Sequence, residues 1–124
     1  MKGERVRVYQ ESESPWRCGH WNGSPIEIAL TTGVLTRIPA GEAYHYHDFH
    51  EYYVVLQGRA TLCVEGQEVP LEAEIVVMVQ PGEQHRVTWI DPDAGAQWIV
   101  IKERSTPDGK IVVPEPDDGS PSDG

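Results

Sequence analysis

The chain has few of the features that mark proteins which bind nucleic acids or membranes. Among its 124 residues, 10 are basic and 20 are acidic, which gives a formal net charge of −10. A chain of this charge is repelled by phosphate backbones and by anionic lipid headgroups. We therefore expect neither a nucleic acid nor a membrane among its partners.

Long apolar runs and abundant cysteines are also missing. Residues 1–5 contain no apolar run and lead directly into an alternating segment, so neither a signal peptide nor a transmembrane span is predicted. The two cysteines, Cys18 and Cys63, lie far apart in the sequence. Since no export signal is present, we expect a cytoplasmic protein in which both cysteines are reduced thiols. A disulfide between them is the alternative.

No window has apolar residues at helical spacing, and neither an internal repeat nor a glycine loop of the phosphate-binding kind is visible. Instead, 12 glycines and 10 prolines punctuate a series of short alternating segments. Many short strands joined by tight turns are typical of a sandwich or a small barrel. A length of 124 residues fits one domain. The sequence predicts an all-β, single-domain fold.

The alternating segments divide the chain into three parts. Residues 1–25 are predicted to form a strand at 4–9 and a loop, residues 26–104 a barrel, and residues 105–124 a strand candidate at 111–113 with a disordered acidic tail. Within the barrel, strands are predicted at 26–30, 34–38, 51–57, 60–64, 69–71, 75–79, 84–90 and 97–103. We expect a turn at Gly58-Arg59, and deep burial of residues 75–79 because they are apolar on both faces.

One stretch differs from the rest by its chemistry. His45 and His47 are two residues apart, and Glu51 opens the most clearly patterned strand four residues later. Residues i and i+2 of a strand share a face, so the two imidazoles point the same way. A third imidazole, His85, follows much later in the chain. Three histidines and one carboxylate are a suitable ligand set for a divalent transition metal.

The spacing of this stretch resembles the first motif of the cupin superfamily: His-x-His, three residues, Glu, six residues, Gly. Pro81-Gly82-Glu83-Gln84-His85 resembles the second motif, although Glu74-Ile75 stands where that motif usually opens with Gly-Asp. The resemblance covers about residues 26–101. It implies a jelly-roll β-sandwich with a metal inside its mouth, held by His45, His47, Glu51 and His85.

The resemblance leaves the activity open. Cupins include dioxygenases, isomerases, epimerases, decarboxylases, lyases and non-enzymatic binding proteins, and the fold does not select among them. The resemblance to small cupins also implies a homodimer in which strands of one subunit extend the sheet of the other. We therefore expect a homodimer, for which Val6, Val8 and residues 111–113 could supply edge strands.

Strand alternation predicts the walls of a pocket around the four ligand candidates. From Glu51 it sends Tyr53 and Val55 inward, and from His85 it sends Val87 and Trp89 inward. These four residues are the predicted pocket lining.

Two further histidines are predicted to lie outside the metal site. His50 neighbours Glu51 and should face the opposite way, so we expect it to be exposed or to face a second subunit. His20 lies in the predicted loop, and the alternative is that it reaches the pocket as an acid or a base.

Iron, manganese, zinc and nickel all suit such a ligand set. Glu51 would leave the site of a divalent ion at +1, which favours a carboxylate, an enediolate or an α-hydroxy ketone as the small-molecule partner. One hypothesis is an enzyme acting on a small oxygenated or carboxylated metabolite. The other is a non-catalytic ligand-binding module with a structural metal. A titratable side chain beside the ligands would favour the enzyme.

Overall fold

The computed structural model describes residues 6–10, 13–31 and 43–113, and β-strands account for most of their regular structure. The strands are β1 (Trp16–Cys18), β2 (Glu27–Thr31), β3 (His45–Tyr46), β4 (Glu51–Val64), β5 (Gln67–Glu72), β6 (Val76–Val79), β7 (His85–Ile90), β8 (Ala96–Lys102) and β9 (Ile111–Val112). Within these ranges, the one helical segment is a 3₁₀ turn at His20–Asn22. No helix of the described residues is long and apolar enough to cross a membrane.

Strand β4 belongs to two antiparallel sheets. Residues Glu51–Gly58 pair with β8, which continues the first sheet through β2 to β1, and β6 pairs on the other side of β4. Residues Arg59–Val64 pair with β5, and Ala60–Val64 pair with β7, which continues the second sheet through β3 to β9. The shared strand curls the two sheets into a jelly-roll barrel. The predicted all-β fold is confirmed.

The predicted turn at Gly58-Arg59 is wrong, because β4 runs through these residues and passes from one sheet to the other. A bulge between Val55 and Gln57 precedes the crossing. Gly58 has a φ of 76°, and a Cβ atom there would lie 2.0 Å from the carbonyl oxygen of Gly95. Only glycine fits at this close approach.

The core lies between the two sheets and is built from their inward-facing apolar residues. Leu62 and Leu71 are fully buried, and Val55 is 1% exposed. Strand β8 alternates strictly between buried and half-buried residues, with Trp98 and Val100 on the buried side. Removing apolar surface from water stabilises the fold by roughly 25 cal/mol per Å². The predicted alternation of inward and outward side chains along each strand therefore determines which residues form the core.

The N-terminal part differs from its prediction. Residues 6–9 form no strand, and Val6 and Val8 are 85% and 75% exposed. The first strand of the described residues is β1, which lies inside the predicted loop and pairs with β2. The strand predicted at 34–38 and the predicted disordered tail from 114 onward fall outside the described residues.

The other differences concern β6 and the cysteines. Strand β6 pairs with β4, so its alternate side chains face outward, and Val76 and Met78 are 61% and 44% exposed. Deep burial of the whole 75–79 segment was therefore a wrong prediction, and Val79 is the residue of this strand that enters the core. Cys18 and Cys63 are free thiols, as predicted.

Candidate metal centre

Four side chains from two parts of the sequence meet at the beginnings of three strands. His45 begins β3, Glu51 begins β4 and His85 begins β7, while His47 follows β3 directly. One ligand atom from each residue lies within 4.8 Å of the ligand atoms of the other three. All four residues are buried. We call His45, His47, Glu51 and His85 the four-residue cluster.

Backbone pairing holds the two cupin-like motifs together at this point. His45 is directly opposite His85 in the β3–β7 pair. In the turn before β7, the N–H of Gly82 donates a 2.8 Å hydrogen bond to the carbonyl of His47. Gly82 has a φ of 85°, a conformation that favours glycine. The Pro-Gly turn therefore fixes the position of His47 as well as that of His85.

The imidazole rings converge on one carboxylate oxygen. Oε1 of Glu51 lies 2.8 Å from Nε2 of His85 and 3.3 Å from Nε2 of His47. The ring centres of His45 and His85 are 4.4 Å apart. Phe49 stacks on the ring of His47 with a centroid distance of 4.9 Å and so restricts its rotation.

The outer nitrogen of each imidazole contacts a backbone carbonyl. Nδ1 of His45 bonds to Ala43 at 3.0 Å, Nδ1 of His47 to Gly109, and Nδ1 of His85 to Glu83 at 2.8 Å. A carbonyl oxygen can only accept, so Nδ1 carries the proton in each ring. In a neutral ring this leaves the Nε2 lone pair for the interior of the cluster. Metal-binding histidines are oriented in the same way by an outer hydrogen bond.

Burial and neighbouring groups set the charges of two cluster members. Burial lowers the pKa of His45 to about 4, so this ring is neutral at pH 7. For Glu51, burial alone would raise the pKa, but contacts with the ring nitrogens of His47 and His85 hold it well below its usual range. The carboxylate is therefore ionised at neutral pH.

These groups fit a divalent transition metal. Nε2 of His47 is buried and has no hydrogen-bond partner in the described part of the chain. The 2.8 Å contact between His85 and Glu51 needs a proton on Nε2 or a cation between the two atoms. A cation within reach of all four ligand atoms would satisfy both requirements, and imidazole with carboxylate is a donor set suited to such ions.

A cavity of about 260 Å³ lies beside the cluster. His45 and Glu51 form part of its wall, and so do Lys102 and the exposed Lys110. Much of the remaining wall is apolar and includes Trp98. Pockets for drug-sized ligands span roughly 300–1,000 Å³, so this cavity suits a small metabolite.

The structure brings two of the four predicted pocket residues to this cavity. Tyr53 and Val87 line it, as alternation predicted. Val55 does point inward, but it is packed into the apolar core and does not line the cavity. Trp89 does not line it either and is 42% exposed.

A bulge explains the position of Trp89. In the pairing of β4 with β7, Leu62 is opposite Val87 but Thr61 is opposite Trp89, so one extra residue of β7 is accommodated between them. An extra residue reverses the alternation beyond it. As a result Ile90, rather than Trp89, returns to the core.

Sequence reasoning missed the buried cation of the cavity, Lys102. It ends β8 in phase with Trp98 and Val100, so it lies on the inward face of that strand. The alternation along β8 indicates that Lys102 faces inward, but a lysine at the end of a strand is usually exposed. Lys102 is 8% exposed and lines the cavity.

The two remaining described histidines lie outside the cluster, as predicted. Nδ1 of His50 lies 3.0 Å from Oε2 of Glu103, and the side chain is 37% exposed. His20 lies in the 3₁₀ turn, where its Nδ1 is 2.8 Å from the hydroxyl of Ser105. Neither lines the cavity, so the alternative of His20 as a pocket acid or base has no support from its position.

One curated protein resembles about half of the chain. The match is 35% identical over 69 residues to the tetracenomycin polyketide synthase protein TcmJ of Streptomyces glaucescens. It covers 52% of this chain and 46% of TcmJ. The chain therefore spans about half the length of this relative.

Solved structures of low sequence identity share the fold. A cupin protein from Bacteroides fragilis superimposes with a TM-score of 0.59 at 15% identity, over 93% of this chain and 98% of that chain. FeII HppE in complex with substrate superimposes with a TM-score of 0.56 at 18% identity, over 77% of this chain and 56% of that chain.

The family model of the cupin domain, Cupin_2, matches residues 33–102. The matched segment contains the whole four-residue cluster and covers more than half of the chain. Together with the two-sheet barrel and the shared fold, this match makes the chain a member of the cupin-domain family.

Proposed function

We propose that this cupin is an enzyme that binds a divalent transition metal through His45, His47, Glu51 and His85 and acts on a small oxygenated or carboxylated metabolite. The main support is the convergence of three imidazoles, oriented by backbone carbonyls, on one buried carboxylate beside a small cavity. When bound, such a metal supplies a Lewis acid or, in the case of iron, the ability to react with dioxygen.

Two cavity residues outside the cluster favour an enzyme over a binding module. Tyr53 and Lys102, which carry a hydroxyl and an ammonium group, line the same cavity as Glu51. A positioned hydroxyl or ammonium can hold or move a proton on a bound molecule.

Iron, manganese, zinc and nickel are the candidate metals. FeII HppE has the same fold and is an iron protein in complex with its substrate. Iron is therefore the first metal to test in this chain.

The test is a turnover screen with protein loaded separately with each of the four metals. Small hydroxy acids, keto acids and hydroxy ketones are incubated with each form, and products are followed by proton NMR and oxygen uptake. We expect turnover of at least one compound with the wild type and none with His85→Ala. Tight binding of these compounds without turnover by any metal form would instead support the binding module.

We also propose that the protein is a homodimer. The main support is the edge strand β9, where Ile111 and Val112 are 40% and 57% exposed. Val6 and Val8, which lie outside any strand, add further exposed apolar surface. Edge strands of this kind are usually covered. Sedimentation equilibrium is expected to give twice the chain mass for the wild type and a lower mass for Val112→Asp. The cytoplasmic location stays a prediction from the sequence.

A further inference from the structure

Lys102 lies in a row of charged residues that crosses three strands. In the pairing of β2 with β8, Glu27 is directly opposite Lys102, and in the pairing of β8 with β4, Lys102 is directly opposite Glu51. All three side chains are buried. Residues directly opposite each other in antiparallel strands have Cβ atoms about 4.5–5.5 Å apart. The ammonium-bearing side chain therefore emerges next to the cluster carboxylate.

Within the described part of the chain, the contacts of Lys102 do not use all the donors of its ammonium. Nζ forms an ion pair of 3.5 Å with Oε1 of Glu27 and lies 4.4 Å from the ring centre of Trp16. Charge-assisted hydrogen bonds are usually about 2.7–2.9 Å, so this pair is loose. Among the described residues, no hydrogen bond to Nζ accompanies these two contacts.

The loose pairing follows from the other contacts of Glu27. Its second oxygen, Oε2, accepts a 2.6 Å hydrogen bond from the hydroxyl of Ser105. That hydroxyl in turn accepts a 2.7 Å hydrogen bond from the backbone N–H of His20. Glu27 is thus fixed by the 3₁₀ turn and by the segment after β8, and it cannot approach Lys102 without breaking this network.

The Lys102 ammonium, held by Glu27 and Trp16, has further donors that can bind a ligand in the cavity that this residue lines. An anion in the cavity would complete its hydrogen bonds. The exposed Lys110 at the same cavity adds a positive field that attracts anions. Since Lys102 is a single buried cation, already shared with Glu27, it suits a monoanionic carboxylate better than a phosphate dianion.

We propose that Lys102 is the anion-binding residue of the cavity and that the substrate is a small carboxylate. Its carboxylate contacts the Lys102 ammonium, and a second oxygen, a hydroxyl or a carbonyl, faces the four-residue cluster. This assignment rests on the proposed function, because it takes the cluster as the reactive end of the cavity. The volume of about 260 Å³ limits the ligand to a small metabolite.

The test compares acids with their neutral amides. Wild-type and Lys102→Met proteins loaded with Zn²⁺ are titrated calorimetrically with lactate, pyruvate, salicylate and inorganic phosphate, and with the amides of the three acids. We expect the wild type to bind at least one acid more tightly than about 1 mM. Hydrogen bonds to charged groups are stronger than those between neutral groups. We therefore expect Lys102→Met to weaken the binding of that acid by about 10- to 100-fold and to leave the affinity for its amide unchanged.

Two further variants separate an anion-binding role from a structural one. Lys102→Met leaves the buried carboxylate of Glu27 without its cation, so the double variant Glu27→Gln/Lys102→Met tests the same loss without that penalty. It should fold, take up Zn²⁺ and show the same loss of preference for the acid. Lys110→Met removes the exposed cation of the cavity and should change acid affinity by no more than about threefold.

The outcomes also separate this proposal from the proposed function. A wild type that takes up no Zn²⁺ would contradict the metal site itself. Normal Zn²⁺ uptake with an unchanged acid-over-amide preference in both Lys102 variants would overturn the role of Lys102. Normal uptake without binding of any acid, or with inorganic phosphate preferred, would overturn the carboxylate as the ligand class.

Discussion

The two halves of β4 bury different kinds of side chain. In the first half, Glu51 and Tyr53 are buried and line the cavity while Val55 joins the apolar core, whereas in the second half Ala60 and Leu62 are both buried in the apolar core. A buried carboxylate must be compensated by partners, while buried apolar groups stabilise the fold directly. The first half therefore carries the site, and the second half carries the stability that keeps the site in place.

Gly58 separates the two halves. At this residue β4 leaves one sheet and enters the other, so the site and the core are built on one continuous strand. A site on strands that are fixed by packing is positioned more tightly than a site on loops. The comparison predicts that changes in the second half lower stability without affecting metal affinity, and that changes to groups that orient the cluster lower metal affinity.

The largest expected effect is in the second half. Leu62 is fully buried, so Leu62→Ala should lower the free energy of unfolding by about 2–5 kcal/mol through lost burial and a cavity. Leu56→Ala is the control, because Leu56 is 49% exposed and its loss should cost no more than about 0.5 kcal/mol. Urea unfolding measures both. A Leu62→Ala protein with normal stability but weakened Zn²⁺ binding would reverse the assignment of the two halves.

The next effect is at the boundary. Gly58→Ala should lower the free energy of unfolding by at least about 2 kcal/mol, because its Cβ would lie 2.0 Å from the carbonyl oxygen of Gly95 and its φ is 76°. Gly66→Ala has a similar φ of 80° but nothing within 4 Å, and should lose only about 1 kcal/mol. Equal losses in the two variants would mean that the close approach at Gly58 is unimportant.

A smaller effect is expected on the site side. The carbonyl of Gly109 accepts the Nδ1 hydrogen bond of His47, and a Cβ atom at Gly109 would lie 3.1 Å from Thr106 and 3.2 Å from Phe49. Gly109→Ala should displace that carbonyl and weaken Zn²⁺ binding by roughly 10-fold, as expected for the loss of an outer hydrogen bond. Competition with a chelating dye measures the affinity. Gly66→Ala, where an added Cβ atom would meet nothing within 4 Å, should bind Zn²⁺ normally, and an equal loss there would argue against an effect of the carbonyl.

The smallest expected effect concerns the turn before β6. Glu74 has a φ of 74°, and its N–H donates to the carbonyl of Val55 in the first half of β4. Because glycine adopts positive φ without strain, Glu74→Gly should stabilise the protein by up to about 1 kcal/mol. Glu72→Gly in strand β5 should destabilise it by about 0.5–1 kcal/mol. Equal destabilisation by both changes in urea unfolding would contradict the strain at Glu74.

The ligand candidates could be predicted because their pattern is local. His45 and His47 share a strand face, Glu51 opens the next strand, and His85 follows a Pro-Gly turn. The structure brings these four side chains together, as expected from the resemblance to cupins. Their partners, such as the carbonyl of Gly109, come from distant turns and could not be read from spacing.

The rest of the cavity depended on non-local pairing. Trp89 was placed inward by simple alternation, and a bulge opposite Thr61 turns it outward. Strand alternation predicts which face of β8 carries Lys102, but it does not predict how deeply that face is buried. The burial of Lys102 could therefore not be predicted. The exposure of β6 likewise depends on which strands pair with it, and apolar composition does not reveal pairing.

The most direct test of the central claim is the metal content of protein purified without added metal or chelating resin. Elemental analysis of the wild type is compared with His47→Ala, which removes one imidazole of the four-residue cluster. We predict near-stoichiometric iron, manganese, zinc or nickel in the wild type and its loss in the variant. A wild type without metal, which also takes up none on titration, would contradict the metal centre and leave only the cupin fold.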